Sequence, residues 1–222
     1  MIEKIGKPQY KFASNPCHEL LELIKTNKSS GKEIEGDISY VVAEIGVGIG
    51  ATAVKIMELL SENDQYYMFS FEDDALELKA DLKRCGFQCK NIHAMGNSRK
   101  KFDSYNWTLA KLYQSSEKKE IFDISYLDGA HSFLFDGLAC CLLKKMTKKG
   151  GIIVFDDIDW SYAKSPTVNP TANPAILNDC TEEQINTQQI KMVVEIFMKD
   201  DPEWELIEEF TSKHRATYKK IK

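Results

Sequence analysis

A regular alternation of apolar runs with helical segments constrains the fold of this chain more than any other feature. The apolar runs have the length of strands and lie at residues 40–45, 66–71, 89–95, 121–127 and 150–155. Segments with helical spacing separate them, including a predicted helix over 98–116. The last two runs are apolar at most positions, as strands covered on both faces are. The alternation therefore predicts an α/β fold whose mostly parallel sheet carries helices on both faces.

The alternation ends with the fifth run, and the rest of the chain has a different pattern. Residues 161–180 contain three of the six prolines and show no periodicity, which favours a lid or substrate loop. The sequence TEEQ at 181–184 predicts a capping box that opens a helix to about Lys199. Residues 203–210 and 215–221 predict a closing antiparallel strand pair, which makes seven strands. We expect all 222 residues to form one domain.

The charge balance limits the kinds of partner that this chain has. There are 29 Lys and Arg residues against 34 Asp and Glu residues, and the net charge of −5 argues against nucleic acid. No apolar run approaches the roughly 20 residues of a membrane span, and the first residues lack the apolar centre of a signal peptide. The six cysteines form no C-x-x-C pair, which favours reduced thiols. We expect a cytoplasmic protein that acts on a small molecule; the oligomeric state, a homo-oligomer included, stays open.

Three glycines lie at the first strand-to-helix turn, in the sequence AEIGVGIGATA. Glycines at such a turn let the backbone approach a ligand closely, and the helix N-terminus that follows favours negative charge. Gly46, Gly48 and Ala51 satisfy the dinucleotide-binding pattern G-x-G-x-x-[GA]. Gly46, Gly48 and Gly50, with Glu44 upstream, also satisfy E-x-G-x-G-x-G. The spacing of the glycines therefore leaves two classes of cofactor open.

An acidic residue follows the second predicted strand, where either cofactor would present its ribose. Glu72 is 22 residues past Gly50, and a carboxylate there can accept hydrogen bonds from both ribose hydroxyls. We predict that Glu72 is the ribose ligand and that Asp73 and Asp74 are acids of the next helix's first turn. The agreement of glycines, strand, helix and acid favours a cofactor site over a turn that binds nothing.

Carboxylates follow two of the most apolar strands of the predicted sheet. Asp128 ends the fourth strand, and Asp156 and Asp157 end the fifth. Ligands of a doubly wound sheet bind beyond the carboxyl ends of the strands, so these carboxylates face the same crevice as the glycine turn. Their charges repel unless a cation lies between them, and hard oxygen ligands suit Mg²⁺ or Mn²⁺. Such a cation would lower the pKa of a substrate hydroxyl, and His131 is placed to take the proton.

These motifs resemble those of a known superfamily. The turn EIGVGIG is similar to the first motif of the class I S-adenosylmethionine (SAM) methyltransferases. The strings FDISYLDGAH and GGIIVFDDIDW resemble the metal-dependent O-methyltransferases of that superfamily, which include catechol O-methyltransferase. The Asp156–Asp157 pair and the string DGAH are closer to the macrocin O-methyltransferase group, which methylates sugar hydroxyls. The resemblance covers roughly residues 40–160.

The resemblance implies a Rossmann-like enzyme that transfers the methyl group of SAM to a sugar or catechol-like hydroxyl. It assigns the cofactor to Glu44, Gly46, Gly48, Gly50, Glu72, Asn97, Ser98 and Asp128. It assigns Mg²⁺ or Mn²⁺ to Asp128, Asp156 and Asp157. His131 stands where the catechol enzymes have a lysine base, so the resemblance implies that Asp128 and His131 act in catalysis.

Several of these residues also have structural interpretations. We predict that Asp123 is a structural hydrogen-bonding residue and that Asp159 is solvated. The acids at the strand ends could instead cap the segments that follow, although caps do not require a doublet. His131 could be a surface histidine. Two rival functions stay open, an NAD-type oxidoreductase on the same glycine turn and a SAM-binding module without turnover.

Overall fold

In the computed structural model, which describes residues 15–30, 39–87 and 91–222, the described strands form one seven-stranded sheet. They are β1 (Val41–Ile45), β2 (Gln65–Phe71), β3 (Ile92–Asn97), β4 (Phe122–Leu127), β5 (Thr147–Phe155), β6 (Trp204–Leu206) and β7 (Ala216–Lys220). Their order is β3-β2-β1-β4-β5-β7-β6. The first five are parallel, and β7 is antiparallel to β5 and β6. The predicted Rossmann-like sheet with its antiparallel pair is confirmed; the first residues of the run 89–95 lie outside the described part.

Helices cover both faces of the sheet, as predicted. One face carries α1 (His18–Ser30), α2 (Ala51–Leu59) and α3 (Glu72–Arg84); the other carries α4 (Tyr105–Ser115), α5 (Phe133–Met146) and α8 (Gln189–Phe197). Two short helices, α6 (Ile176–Asp179) and α7 (Glu182–Asn186), lie in the connection between β5 and α8. Every residue of β1 is buried, because helices cover it from both sides. None of the described helices combines the length and hydropathy needed to cross a membrane.

The helix predicted over 98–116 begins later than expected. Residues 98–104 form bends and turns, and α4 starts at Tyr105. Asp103 accepts a hydrogen bond from the backbone N–H of Ser98 at 2.6 Å. The hydroxyl of Ser104 caps the helix by accepting from the backbone N–H of Asn106 at 3.2 Å. Short polar side chains that bond to nearby backbone compete with helix formation, so this segment is a loop.

The helix predicted over 181–199 is two helices. The capping box is confirmed: the Thr181 hydroxyl accepts from the Gln184 N–H, and the Gln184 side chain accepts from the Thr181 N–H. After α7 the helix breaks, and α8 starts at Gln189. The Gln189 side chain spans the break, since its amide donates to the Gln184 carbonyl and its oxygen accepts from the Phe133 N–H, each at 2.8 Å. The first residue of α8 thus contacts a distant helix as well as the end of α7.

The last part of the chain is less regular than predicted. The strand expected over 203–210 is only the short β6, and a 3-10 turn follows it at Glu208–Phe210. Residues 161–180 contain a 3-10 turn at Tyr162–Lys164, the short helix α6 and irregular turns between them. This connection has no long regular element, which agrees with the pattern of its sequence.

Gly46 lets the end of β1 pass against the backbone that follows β4. Its φ is 88°, and a Cβ added there would lie 1.9 Å from the carbonyl oxygen of Asp128. Gly50 has a φ of 84°, and its added Cβ would lie 2.4 Å from the Leu78 side chain. Gly48 also has a positive φ, of 49°, but its added Cβ would meet no atom within 4 Å. Of these three positions, only position 46 requires glycine because two backbone segments approach each other closely there.

We predict that Gly46→Ala destabilises the protein far more than Gly48→Ala. Both substitutions place an alanine at positive φ, which costs about 1–2 kcal/mol. Only Gly46→Ala also forces a Cβ into the backbone of Asp128. It should lower the free energy of unfolding by about 4 kcal/mol or more, whereas Gly48→Ala should show only the backbone cost. Urea denaturation of the ligand-free proteins measures both values, and equal losses would contradict the close approach.

Candidate functional site

The carboxyl ends of the parallel strands surround a cleft of about 770 Å³. Most of the predicted site residues line it: Glu44, Gly46, Gly48, Asn97, Asp128, His131, Asp156 and Asp157. Gly50, Glu72 and Ser98 are not among its lining residues. The strand order reverses between β1 and β4, and the cleft lies beyond the ends of these strands. This is where a doubly wound sheet binds its ligands.

Asp128, His131 and Asp157 form a compact group in the wall of the cleft. One ligand atom from each residue lies within 4.8 Å of the other two. The Nε2 atom of His131 is 3.0 Å from an oxygen of Asp128 and 3.2 Å from an oxygen of Asp157. In the described part of the chain, His131 and Asp157 are the non-glycine residues with positive φ, at 54° and 55°. Backbone strain of this kind is frequent at functional sites, where the surrounding structure holds it.

The group combines two carboxylates with one titratable ring. Burial lowers the pKa of His131, but the hydrogen bond and charge of Asp128, together with the charge of Asp157, outweigh burial and raise that pKa to about 9. Burial raises the pKa of Asp157 to about 6, with a further increase from Asp156, although the charge of His131 opposes it. At neutral pH the imidazolium therefore supplies the positive charge that the adjacent carboxylates require.

Asp156, the first residue of the doublet, makes different contacts. Its carboxylate accepts a hydrogen bond from the Tyr126 hydroxyl. It also forms an ion pair with Arg215, whose Nε lies 2.9 Å from Oδ1. Arg215 in turn donates to both carboxylate oxygens of Glu19 at 3.0 Å. The structure does not bring Asp156 into the compact group, because Arg215 holds its carboxylate elsewhere; this departs from the predicted three-carboxylate metal site.

Glu44 is a buried acid in the middle of the sheet and borders the cleft. It is 2% exposed, and its carboxylate accepts a hydrogen bond from the Tyr66 hydroxyl. Burial raises the pKa of Glu44 to about 8; the bond from Tyr66 opposes this change, and the charge of Asp128 adds to it. A carboxylate with so little solvation gains from a cationic ligand group in the adjoining cleft.

Strand β2 brings Ser70 and Phe71 to the cleft, and not Glu72. The Arg99 guanidinium lies over the Phe71 ring, 4.1 Å from its centroid. Glu72 is the first residue of α3 and packs against β3, so that a Cβ added to Gly96 would lie 2.7 Å from the Glu72 Cα. Its side chain borders a second, smaller cavity. Because α3 begins directly after the strand, Glu72 lies beside the second cavity and is not among the residues that line the cleft.

Tyr105 and Asp136 hold the loop 128–132 in place. The Tyr105 hydroxyl donates to Asp136 Oδ1 at 2.7 Å and accepts from the Ala130 N–H at 3.2 Å. Asp136 also accepts from the Ser132 N–H at 2.8 Å. Neither residue was predicted from the sequence. The signal in the sequence was an acid, Asp136, in the first turn of an apolar helix. The structure shows that this acid is fully buried.

Aromatic side chains lie next to His131 where the connection 161–180 begins. The ring centroids of His131 and Trp160 are 4.9 Å apart, and those of Trp160 and Tyr162 are also 4.9 Å apart. The Tyr162 hydroxyl donates to the Ala130 carbonyl at 3.4 Å. The start of this connection thus contacts the loop that carries the candidate base.

Two further acids have structural partners. Asp123 accepts from the Val41 N–H and pairs with Lys148, both at 2.7 Å, which confirms its predicted structural role. Asp159 lies 2.8 Å from the His214 ring nitrogen and is not in the compact group. Neither acid takes part in the arrangement around His131.

The comparison with known families identifies the type of domain. Residues 43–158, more than half of the chain, match a family model described as a methyltransferase domain. No curated protein sequence matches the chain significantly. The matched range contains the glycine turn, Asp128, His131 and Asp157, which is the part of the chain that forms most of the cleft.

Several solved structures share the fold at low sequence identity. The O-methyltransferase TomG from Streptomyces achromogenes, in complex with SAM, is 12% identical with a TM-score of 0.56, over 91% of this chain and 78% of its own. The Bacillus cereus O-methyltransferase in complex with SAH is 15% identical with a TM-score of 0.53, over 100% of both chains. The MycE methyltransferase of mycinamycin biosynthesis, in complex with Mg, SAH and mycinamycin VI, is 17% identical with a TM-score of 0.51. That match covers 82% of this chain and 45% of MycE.

The family match decides between the two cofactor patterns that the glycine turn satisfied. The model described as a methyltransferase domain begins in β1 and continues past the doublet after β5. The sheet order agrees with this assignment, and the solved structures support it at the level of the fold. The chain belongs to the methyltransferase-domain family, and the class I, SAM-dependent methyltransferase fold predicted from its motifs is confirmed.

Proposed function

We propose that this protein is a SAM-dependent O-methyltransferase that acts, with a divalent cation, on a hydroxyl of a small sugar or catechol-like diol. The proposal rests on one observation: Asp128, His131 and Asp157 lie close together in the wall of the cleft that the glycine turn also lines. The complexes of TomG with SAM and of MycE with Mg and SAH support it. The methyl group of SAM is already activated, so the protein has to align the acceptor and remove its proton.

The cofactor would lie between the glycine turn and the ends of β2 and β3. Gly46 and Gly48 leave room for close backbone approach, and Glu44 favours the positive charge of SAM. Phe71 offers an aromatic face in the cleft, suited to the adenine ring. Asn97, the last residue of β3, also lines the cleft, and its proposed role is to contact the adenine.

We predict that Phe71→Ala weakens cofactor binding and that Glu72→Gln does not. Stacking of a base on an aromatic side chain contributes about 1–3 kcal/mol, so Phe71→Ala should raise the SAH dissociation constant at least fivefold. Glu72 borders the other cavity, so Glu72→Gln should change that constant less than about twofold. Isothermal titration calorimetry with SAH measures both. The opposite ranking would restore Glu72 as the ribose ligand.

The donor set in the compact group fits a divalent cation. Asp128 and Asp157 present carboxylate oxygens close together, and such hard ligands suit Mg²⁺ or Mn²⁺. Bound there, a divalent cation would supply the positive charge that the imidazolium supplies in this structure, and it would lower the pKa of the acceptor hydroxyl. His131 would hold the proton from that hydroxyl at Nε2, with its ring placed by the loop 128–132 and by Trp160.

We predict that turnover depends on a divalent cation held by Asp157. EDTA should abolish methyl transfer from labelled SAM to a panel of sugar diols and catechols, and Mg²⁺ or Mn²⁺ should restore it. Asp157→Asn should lose this restoration, because it removes one of the two carboxylates. Asp159→Asn is the matched control, since that acid pairs with His214 outside the group. Full activity in EDTA would eliminate the cation. SAM binding without transfer to any acceptor would favour a module without turnover.

We predict that His131→Gln retains cation binding and loses rate. A positioned base contributes roughly 10²–10⁴-fold to a rate, so kcat should fall by that range while the Mn²⁺ dissociation constant changes little. Steady-state kinetics with the best acceptor and Mn²⁺ titration calorimetry measure the two effects separately. An enzyme that depends on the cation but is indifferent to His131→Gln would require a different base.

Residues 161–180 would complete the acceptor side of the site. Their first residues contact the loop of His131 through Tyr162, and Trp160 covers the imidazole. A connection of this length beside a catalytic group is typical of lids and substrate loops. We propose that this segment selects the acceptor.

A further inference from the structure

Arg215 connects three parts of the molecule at the edge of the cleft. It immediately precedes β7 and lines the cleft. Its Nη1 donates to both oxygens of Glu19 in α1 at 3.0 Å. Its Nε lies 2.9 Å from Asp156 Oδ1, and its Nη2 donates to Asp156 Oδ2 at 3.3 Å. One guanidinium therefore binds the start of α1 and the residue that follows β5 at the same time.

The carboxylate of Asp156 requires this partner. Asp156 is 7% exposed, and a carboxylate so deeply buried is stable as an anion only when it is paired and hydrogen-bonded. Arg215 supplies the positive charge. The Asp156 carboxylate also accepts hydrogen bonds from the Tyr126 hydroxyl and from the N–H of Asp157. The negative charge of Asp128 further disfavours the Asp156 anion, which increases its need for the guanidinium.

The backbone at the doublet separates its two carboxylates. Asp157 has a φ of 55°, and its own N–H is bonded to Asp156 Oδ1 at 2.9 Å. As a result Asp156 faces Arg215, whereas Asp157 faces His131. Only the second of these carboxylates joins the compact group.

We infer that Arg215 is a positioning residue that keeps Asp156 out of the cation site and leaves Asp157 as the one ligand from the doublet. The inference rests on the proposed function, because it assigns the doublet's two acids different roles toward the proposed cation. Without the guanidinium, Asp156 becomes the third carboxylate available to a divalent cation next to Asp128 and Asp157. More anionic oxygen ligands bind such a cation more tightly.

The test is a Mn²⁺ titration of four SAH-saturated proteins: wild type, Arg215→Met, Asp156→Asn and the double variant. We expect Arg215→Met to bind Mn²⁺ at least tenfold more tightly than wild type, and the double variant to return to within about threefold of the wild-type affinity. The electron paramagnetic resonance spectrum of bound Mn²⁺ should change in Arg215→Met alone. An Arg215→Met affinity equal to or weaker than wild type, or a gain that survives Asp156→Asn, would overturn the inference.

Arg215→Lys is the conservative variant. Lysine keeps the charge but lacks the planar fork that contacts two carboxylates together. It should retain wild-type Mn²⁺ affinity if it reaches Asp156, and Glu19→Gln should leave Mn²⁺ affinity within about twofold, because the ion pair with Asp156 remains. A Mn²⁺ affinity for Arg215→Lys as high as that of Arg215→Met would show that charge at this position does not restrain Asp156.

A second measurement in EDTA separates this inference from the proposed function. If no protein binds Mn²⁺, the cation part of the proposed function fails, but the pairing can still be judged by thermal unfolding. Arg215→Met leaves a buried carboxylate unpaired and should lower Tm by about 10 °C. Adding Asp156→Asn should recover at least half of that loss, because the unpaired charge is removed. No recovery would mean that Arg215 does not act through Asp156, and the inference would be wrong.

Discussion

The site depends on how the negative charge at the ends of β4 and β5 is compensated. The carboxylates of Asp128, Asp156 and Asp157 lie close enough for each to affect the ionisation of another. Asp128 directly follows β4 and Asp156 directly follows β5, and both strands are mostly apolar. Two cationic side chains offset them from opposite directions, His131 from the loop after β4 and Arg215 from the start of β7. The balance acts over short distances: Asp156 is buried with Arg215, whereas Asp128 and Asp157 remain partly exposed at the cleft.

This compensation divides one cluster of acids into two functional units. The unit of Asp128, His131 and Asp157 faces the cleft and has the composition needed to bind and deprotonate a hydroxyl. The unit of Asp156 and Arg215 joins the sheet to α1 through Glu19. The two carboxylates of the doublet face different partners, Arg215 and His131, and the backbone of Asp157 between them is left-handed.

The glycine turn lies beside the compact group and lines the proposed cofactor side of the cleft. Gly46 allows the end of β1 to touch the backbone of Asp128, so the turn and the acid group line one cleft. Phe71, with the Arg99 guanidinium over its ring, and the buried acid Glu44 lie on the proposed cofactor side of the cleft. The proposed cofactor and acceptor groups lie at adjacent strand ends, where the strand order reverses.

Most of the fold could be predicted from the sequence, because its signals are local. Apolar runs of strand length, helical spacing and the TEEQ cap specify the strands, the helices and their alternation without reference to distant residues. The misses have a common cause. At the late start of α4, Asp103 and Ser104 accept hydrogen bonds from backbone N–H groups, and at the break before α8 the Gln189 side-chain amide donates to the Gln184 carbonyl. In each case a side chain took a backbone hydrogen bond that periodicity alone assigns to a continuous helix.

The sequence by itself determined which strand ends carry the candidate site residues, namely the glycine turn, Asp128, His131 and the doublet, because strand ends and spacing can be read along the chain. Only the tertiary structure decided which of these residues face one another. Ser70 and Phe71 line the cleft, whereas Glu72 begins α3 and borders the second cavity. Arg215 reached Asp156 from 59 residues away along the chain. The sequence contains no periodic pattern that could predict an ion pair at that separation. The antiparallel pairing of β7 with β5 brings the two residues together, and local propensity does not.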